Sequence, residues 1–197
     1  LGDPGTSTDL AIDSSELAAF ADGAAAIVIG GASESNLVTI HAVTFNDPLE
    51  VLVPQAGGAV SVVGTLTGAG NASILLQGSG NTVVLSADVV TTANADITFN
   101  DNVIVTGNRS LTITGAGPGG AITIMGTING VTPGADSLTL SSSAGQITTE
   151  ERIGNSVRLG AVTINSAVAA NIGGSISTAG GNVDFGTTPV INFTQSC

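Results

Sequence analysis

Isoleucine recurs at a fixed interval through the second half of the chain, at positions 97, 122, 147 and 172. The segments Ile97-Thr98-Phe99 and Ile122-Thr123-Ile124 alternate apolar and polar side chains, which is the pattern of a half-buried β-strand. A second triplet of this kind follows in each repeat: Leu111-Thr112-Ile113, Leu138-Thr139-Leu140, Val162-Thr163-Ile164 and Val183-Asp184-Phe185. Repeats of about 20 to 50 residues mark solenoids, propellers and arrays, and short units of strands and Gly-rich turns favour a β-solenoid.

The spacing predicts an all-β parallel solenoid with coils of about 25 residues, in which equivalent positions lie directly above one another. One interior stack is predicted for Ile97, Ile122, Ile147 and Ile172, and a second for Leu111, Leu138, Val162 and Val183. Because side chains alternate across a strand, two columns of threonine are predicted on the outside: Thr98, Thr123 and Thr148, and Thr112, Thr139 and Thr163.

The N-terminal part of the chain differs from the repeats. Residues 1–12 form an irregular lead-in, and Asp13 with Glu16 predicts a capping box that opens a short helix over residues 16–20, ending at Gly23. Such a helix is not stable alone, so we expect it to dock on the solenoid. Residues 1–25 are therefore predicted as lead-in and docking helix, and residues 26–197 as the solenoid.

The first half of the solenoid is predicted from one recurring tetrapeptide. Thr44-Phe45-Asn46-Asp47 reappears 54 positions later as Thr98-Phe99-Asn100-Asp101. That interval corresponds to about two coils, so we expect the first half to continue the same solenoid with less regular loops.

Charge excludes several classes of partner. Three basic residues, none of them lysine, face fifteen acidic ones, and the net charge is −12. Such a surface repels nucleic acid and anionic lipid headgroups. No segment approaches the length of a membrane-spanning helix, about 20 consecutive apolar residues.

The single Cys197 excludes an internal disulfide framework and leaves an incidental thiol or an intermolecular attachment. The sequence starts without a signal-peptide pattern, so we expect any export signal to have been removed or to belong to a longer precursor.

Several segments resemble a family of large bacterial surface proteins. They are SELAAFADG (residues 15–23), VTFNDP (43–48), GGAITIMGTING (119–130) and RLGAVTI (158–164). Together they resemble the repeats of filamentous-haemagglutinin-like β-strand-repeat adhesins. The resemblance implies a secreted, right-handed parallel β-helix that acts as a stalk or fibre, with no catalytic residue and no cofactor.

Three motifs suggest chemistry that their surroundings do not support. Residues 115–120, GAGPGG, match the letters of a dinucleotide fingerprint, but a strand rather than a helix follows them, which favours a solenoid corner. The kinase-like Asp184-Phe185-Gly186 has no lysine to accompany it. His41 has no second His or Cys nearby, so it is interpreted as a strand or turn residue rather than a metal ligand or base.

Asp47 and Asp101 are weak calcium candidates. Both lie beside Asn in turns and offer the oxygen ligands that Ca²⁺ prefers. Asn and Asp also cap turns through their own backbone, which is the simpler interpretation. The sequence therefore predicts no metal site, with these two residues as the only alternatives.

A carbohydrate-active, pectin-lyase-like β-helix is the main alternative function. Asp96 and Asp101 could flank a groove, with Arg109 near them, since acid–base chemistry on a sugar needs paired carboxylates. The absence of lysine and of an aromatic sugar platform argues against an enzyme. An ice-binding Thr surface is disfavoured because Thr112-Ile113-Thr114 has no Thr-x-Thr counterpart in the next repeats.

The sequence thus predicts a non-enzymatic, extracellular β-solenoid of the cell surface or biofilm matrix, within an adhesin stalk or a self-assembling fibre. The expected partners are other copies of the chain, joined head to tail, or adjacent repeats of a longer parent, with surface glycans as further candidates. An uncovered solenoid end is a template for another strand. We expect residues near Phe193 to contact residues 10–28 of a neighbouring copy.

Overall fold

The computed structural model describes residues 22–78, 82–115 and 117–195, and in these ranges every regular element is a β-strand. The helix predicted over residues 16–20 lies outside the described residues. The strands are β1 (Ile27–Gly30), β2 (Leu37–Ile40), β3 (Val43–Phe45), β4 (Leu49–Leu52), β5 (Ala59–Val62), β6 (Leu66–Gly68), β7 (Ile74–Gln77), β8 (Thr82–Leu85), β9 (Val89–Thr91), β10 (Ile97–Phe99), β11 (Asn102–Val105), β12 (Asn108–Ile113), β13 (Ile122–Ile124), β14 (Ile128–Gly130), β15 (Ser137–Ser142), β16 (Ile147–Thr149), β17 (Val162–Ser166), β18 (Ala170–Ile172), β19 (Val183–Asp184) and β20 (Ile191–Phe193).

The strands form three parallel sheets, and each of the first five coils contributes one strand to each sheet. Sheet A has the order β1-β4-β7-β10-β13-β16-β18-β20, sheet B the order β14-β11-β8-β5-β2, and sheet C the order β19-β17-β15-β12-β9-β6-β3. Past β14, sheet B continues only as isolated parallel bridges from Ile128 to Ile153 and from Ile153 to Ile176. The chain is therefore a three-sided β-solenoid of about seven turns, as the repeat predicted.

The core is a narrow tube filled by columns of mostly apolar side chains. On sheet A the first column, called here the Ile97 column, is Ile27, Leu49, Ile74, Ile97, Ile122, Ile147, Ala170 and Ile191. The second, called the Phe99 column, is Ile29, Val51, Leu76, Phe99, Ile124, Thr149, Ile172 and Phe193. In coils two to seven these inward residues are almost fully buried. Stacking like residues on like residues buries a continuous apolar core.

The predicted isoleucine stack is correct for three of its four members. Ile97, Ile122 and Ile147 pair in register, but Ile147 is followed by Ala170 and not by Ile172. The coil after Ile147 is shorter than the two before it, so Ile172 falls opposite Thr149, further along the same strand. Ile147 and Thr149 lie on the same side of that strand, so Ile172 is still buried.

The second predicted stack needs a similar correction. Leu138, Val162 and Val183 lie above one another, whereas Leu111 pairs with Leu140. The turn at residues 131–136 lengthens this coil, so Leu138 falls opposite Arg109 on sheet C rather than opposite Leu111. Val183 is also more exposed than predicted, with 39% of its surface accessible, because few residues of the last coil cover it.

Of the two predicted threonine columns on the outer faces, one is complete and the other is only partly formed. Thr98, Thr123 and Thr148 lie in one ladder, as predicted, and Asn171 and Asn192 continue it. On sheet C, Thr139 pairs with Thr163, but Thr112 pairs with Ser141. The second threonine column is therefore only partly correct.

The repeated Thr-Phe-Asn-Asp segment does not mark equivalent positions. Phe45 ends β3 on sheet C, whereas Phe99 ends β10 on sheet A. The interval between the two segments is therefore two full coils plus one further side of the three-sided coil. In both places the segment forms a corner after a strand that ends in a buried Phe, on sheet C in one case and on sheet A in the other. The prediction that the first half belongs to the same solenoid is nonetheless confirmed by β1 to β9.

Candidate functional site: polar corners and open ends

The two calcium candidates lie at different corners of the solenoid. Asp47 follows sheet C in the first described coil, and Asp101 follows sheet A three coils later. Both side chains are buried, and Asp47 Oδ1 accepts a 2.8 Å hydrogen bond from the Gly23 N–H. In the described part of the chain no group of three or more His, Cys, Asp or Glu side chains could hold a metal ion. At Asp47 the carboxylate satisfies the backbone of a turn.

The carboxylates considered for sugar chemistry are not brought together. Asp96 precedes β10 and Asp101 follows it, so the strand separates their Cα atoms by roughly 15 Å. Paired catalytic carboxyl groups stand about 5 to 10 Å apart on one cleft, whereas the Asp101 side chain is buried and that of Asp96 is exposed. Asp96 Oδ1 instead accepts a 2.8 Å hydrogen bond from the Ala121 N–H of the next coil. Arg109 lies on sheet C, where the carboxylate near it is that of Asp136.

Asp136 organises a buried polar corner that the sequence did not indicate. Its carboxylate accepts hydrogen bonds from the N–H groups of Gly107 (2.6 Å), Val131 (2.7 Å) and Thr132 (2.9 Å). Burial raises the pKa of Asp136, but these backbone bonds and the charge of Arg109 lower it more, so the pKa lies below its ordinary value. Arg109 is held in turn by a 2.7 Å bond from Nε to the Thr106 carbonyl. The corner ties two successive coils together.

Two buried serines serve the corner that leads from sheet C to sheet A. Ser142 Oγ donates to the Gly120 carbonyl at 2.7 Å and accepts from the Gly145 N–H at 2.9 Å. One coil on, Ser166 Oγ donates to the Gly145 carbonyl and accepts from the Ala169 N–H. These hydroxyls pair backbone groups that would otherwise be buried without partners. The available signal was a serine at an inward position at the end of each strand, Ser142 in β15 and Ser166 in β17.

The described residues of the GAGPGG segment, 115 and 117–120, form a solenoid corner, as predicted, and not a nucleotide-binding loop. Their four glycines have positive φ, between 75° and 149°, and strand β13 follows directly. The segment lies over Asn94, whose Nδ2 donates to the Gly117 carbonyl at 3.1 Å. A Cβ at Gly120 would lie 3.0 Å from the Asn94 Cα and closer still to the Ile113 side chain, so close backbone approach requires glycine there.

The remaining motif residues also have structural roles. Asp184 Oδ1 accepts a 2.8 Å hydrogen bond from the Gly186 N–H, which makes the kinase-like tripeptide a local turn. His41 is half-buried at the corner between sheets B and C. Neither residue belongs to a cluster of metal-ligating side chains within the described ranges.

In the described part of the chain, the first and last coils of the solenoid expose apolar side chains on their strands. The C-terminal end surface consists of Val183, Val190, Ile191 and Phe193, of which Phe193 is 58% exposed and packs edge-on against Phe185 at 6.3 Å between ring centroids. The N-terminal end surface consists of Ile27, Val28, Ile29 and Leu37, in which Val28 is 53% and Leu37 62% exposed. Exposed apolar strand edges of this kind mark sites of association.

A ladder of polar side chains runs along the outer face of sheet A toward its last strand. Asn192 Nδ2 donates to Asn171 Oδ1 at 2.9 Å, and Asn171 Nδ2 donates to Gln146 Oε1 at 3.0 Å. Such amide ladders add side-chain hydrogen bonds between stacked strands. They reinforce the coils nearest the C-terminal end surface.

Comparison of the chain with protein-family models, curated proteins and solved structures gave no match. The family resemblance noted from the sequence therefore remains an expectation. Within the described ranges the chain contains no helix that could cross a membrane.

Proposed function

We propose that this chain is a structural, extracellular β-solenoid, a subunit or segment of a bacterial surface adhesin stalk or of a head-to-tail fibre. The observation that carries the proposal is that sheet A runs through the described solenoid and ends at both sides in an apolar strand edge, β1 and β20. A contact that joins two different surfaces of identical copies can be repeated from each copy to the next. Where these repeated contacts do not close into a ring, they build a filament.

The side chains of the described residues support a mechanical rather than a chemical role. Asp96, Asp101 and Arg109 are dispersed over two sheets, and the buried Asp136 accepts three hydrogen bonds from backbone N–H groups. Long parallel ladders give a rod whose coils depend only on their neighbours. We propose a right-handed winding, since parallel strands connected within one sheet wind that way in nearly all proteins.

A fibre subunit is expected to polymerise from purified chain. Size-exclusion chromatography and negative-stain images should show rods that lengthen as the protein concentration rises. The eight strands of sheet A, at about 4.8 Å per layer, give each subunit an axial length of roughly 38 Å or more. Particles that stay monomeric at every concentration would argue against the fibre.

Binding of surface glycans is a second candidate, because one depression on sheet C, near the C-terminal end surface, carries polar side chains. It has a volume of about 470 Å³ and is lined by Ala161, Thr163, Asn182, Val183 and Asp184. Hydroxyl, amide and carboxylate groups together can bind sugar hydroxyls. Screening of the chain and of Asp184→Ala on a glycan array tests this candidate, and equal signals from both proteins would contradict it.

A further inference from the structure

We propose that sheet A continues across the junction between two copies of this chain, with β20 of one copy paired in parallel and in register with β1 of the next. The inference rests on the proposed self-assembly and specifies the strands, register and polarity by which it occurs. The occupant of each end surface is thus a second copy of the same chain.

The backbone hydrogen bonds of sheet A define the register. At every step the N–H of an Ile97-column residue donates to the carbonyl of the residue just before the next member of that column. The series is Ile27 to Pro48, Leu49 to Ser73, Ile74 to Asp96, Ile97 to Ala121, Ile122 to Gln146, Ile147 to Ala169 and Ala170 to Val190. The next donor is Ile191 N–H, at the open edge. If the series continues by one step into a second copy, the Ile191 N–H donates to the carbonyl of Ala26, the residue just before Ile27 of that copy.

The same step matches the side chains. It places Ile27 of the second copy over Ile191 and Ile29 over Phe193, so both interior columns of sheet A continue with large apolar residues. Phe193 is 58% exposed, and an exposed aromatic side chain of this kind is a typical anchor of an interface. Ile27 and Ile29 are only partly buried against the core, so they have surface left to cover.

Charge favours the head-to-tail polarity over a head-to-head contact. All three arginines lie in residues 109–195, beside four acidic residues, whereas residues 22–108 carry seven acidic residues and no lysine or arginine. A head-to-head contact would oppose two acidic halves. A head-to-tail contact brings the exposed Arg152 and Arg158 nearer to the acidic half of the next copy.

Disulfide trapping between single-cysteine variants tests the register. Val28→Cys and Asn192→Cys, each made with Cys197→Ser, place outward thiols on the two strands that the proposal pairs. Directly opposed residues on neighbouring strands are about 4.8 Å apart, which a disulfide can span. We mix a mass-tagged Val28→Cys chain with an untagged Asn192→Cys chain, oxidise mildly, and read the products on a denaturing gel. Thr123→Cys, outward in the middle of sheet A, is the matched control for lateral contacts.

The expected product is the heterodimer of Val28→Cys with Asn192→Cys, with little product from Thr123→Cys. Homodimers of Asn192→Cys in excess of heterodimers would overturn the polarity in favour of a tail-to-tail contact. Polymers in negative stain without any heterodimer would overturn the strand pairing and leave the proposed fibre standing. Monomers in sizing and images would remove both proposals.

A second pair of variants tests the backbone contact without thiols. In the register above, the N–H of Val28 faces the junction, while that of Ile27 is used inside the chain. Val28→Pro therefore removes one hydrogen bond at the junction, and proline is tolerated at an open strand edge. Val28→Thr keeps the N–H and the β-branch. We expect Val28→Pro to shorten polymers at least tenfold with an unchanged circular dichroism spectrum, and Val28→Thr to polymerise as the parent does; equal lengths would contradict the pairing.

Discussion

At the scale of single residues, the turn at Ala93 and Asn94 holds an alanine in the left-handed backbone region, which its side chain disfavours. Ala93 and Asn94 have φ of 56° and 61°, and within the described ranges they are the only non-glycine residues with positive φ. Asparagine tolerates this region, whereas for alanine it costs about 1 kcal/mol or more. The turn is retained because Asn94 donates to the coil above it.

Replacement of Ala93 by glycine is therefore expected to stabilise the protein by up to about 1 kcal/mol, after the larger entropy of glycine in the unfolded chain is subtracted. Ala56→Gly is the matched control, since Ala56 is an exposed turn residue that is not among those with positive φ. We expect the control to lose about 0.4 to 1 kcal/mol in urea denaturation. Equal losses in both variants would contradict the assignment of strain to Ala93.

The Asp136 corner gives a pH dependence. Asp136→Asn removes the charge that three N–H groups and Arg109 favour, and should reduce the free energy of unfolding by about 1.5 to 3 kcal/mol near neutral pH. Because the pKa is lowered in the folded state, this stabilisation is complete above the ordinary carboxyl pKa of about 4. It is lost as the pH falls through the lower folded pKa.

The measurement is the difference in unfolding free energy between parent and Asp136→Asn from pH 7 down to pH 3. The difference should stay constant down to about pH 5 and then shrink. Glu151→Gln, on an exposed side chain, is the control and should change stability by less than about 0.5 kcal/mol. A difference that grows on acidification would show that Asp136 is not stabilised as an anion.

At the scale of strands, the sequence allowed the faces and the stacking to be predicted but not the full register. Alternation showed which side of each strand is buried, and it held even where the predicted stack failed at Ile172. The register failed because coils vary in length: the step from Ile27 to Leu49 is shorter than the step from Leu49 to Ile74. The differences in coil length lie in the corners between strands, and the alternation of apolar and polar residues does not predict how long a corner is.

The polar corners could not be predicted for a related reason. Asp136 is buried directly before β15, but in the sequence a polar residue beside a strand is indistinguishable from an exposed turn residue. Ser142 and Ser166 continue the inward alternation of their strands, so their burial could be predicted but their hydrogen-bond partners could not. Their partners include backbone groups from a neighbouring coil, such as Gly107 for Asp136 and Gly145 for Ser166. Only the stacked coils bring such groups together.

The Ile97 column should not tolerate a charge. Ile122 is fully buried between Ile97 and Ile147, so Ile122→Asp places an unpaired carboxylate inside the tube and should cost more than about 4 kcal/mol. Thr123→Asp, one position along and on the outer face, should cost about 1 kcal/mol or less. Thermal melts by circular dichroism compare the two variants. An Ile122→Asp melting temperature within a degree or two of the parent would contradict the register.

At the scale of the whole molecule, the strands of each coil pair only with strands of the coils before and after it. Ile97 pairs with Ile74 on one side and Ile122 on the other, and the same holds along all three sheets. The stability of such a molecule is a sum over coils and their interfaces. Removal of one complete coil should therefore shorten the rod without changing its fold.

The deletion of residues 97–121 tests this additivity. It removes β10, β11 and β12, and it lets β7, β8 and β9 meet β13, β14 and β15 in the same three sheets. The inward residues Ile74 and Ile122 would then be neighbours, so both faces of every strand are preserved. At about 0.05 to 0.15 kcal/mol per residue, we expect a loss of roughly 1 to 4 kcal/mol, a cooperative melt and an unchanged β spectrum. Deletion of residues 102–113, the control, removes only β11 and β12 and leaves two sheet A strands in succession, so it should unfold the solenoid. If both deletions unfolded the protein alike, its stability would not be the sum of independent coils.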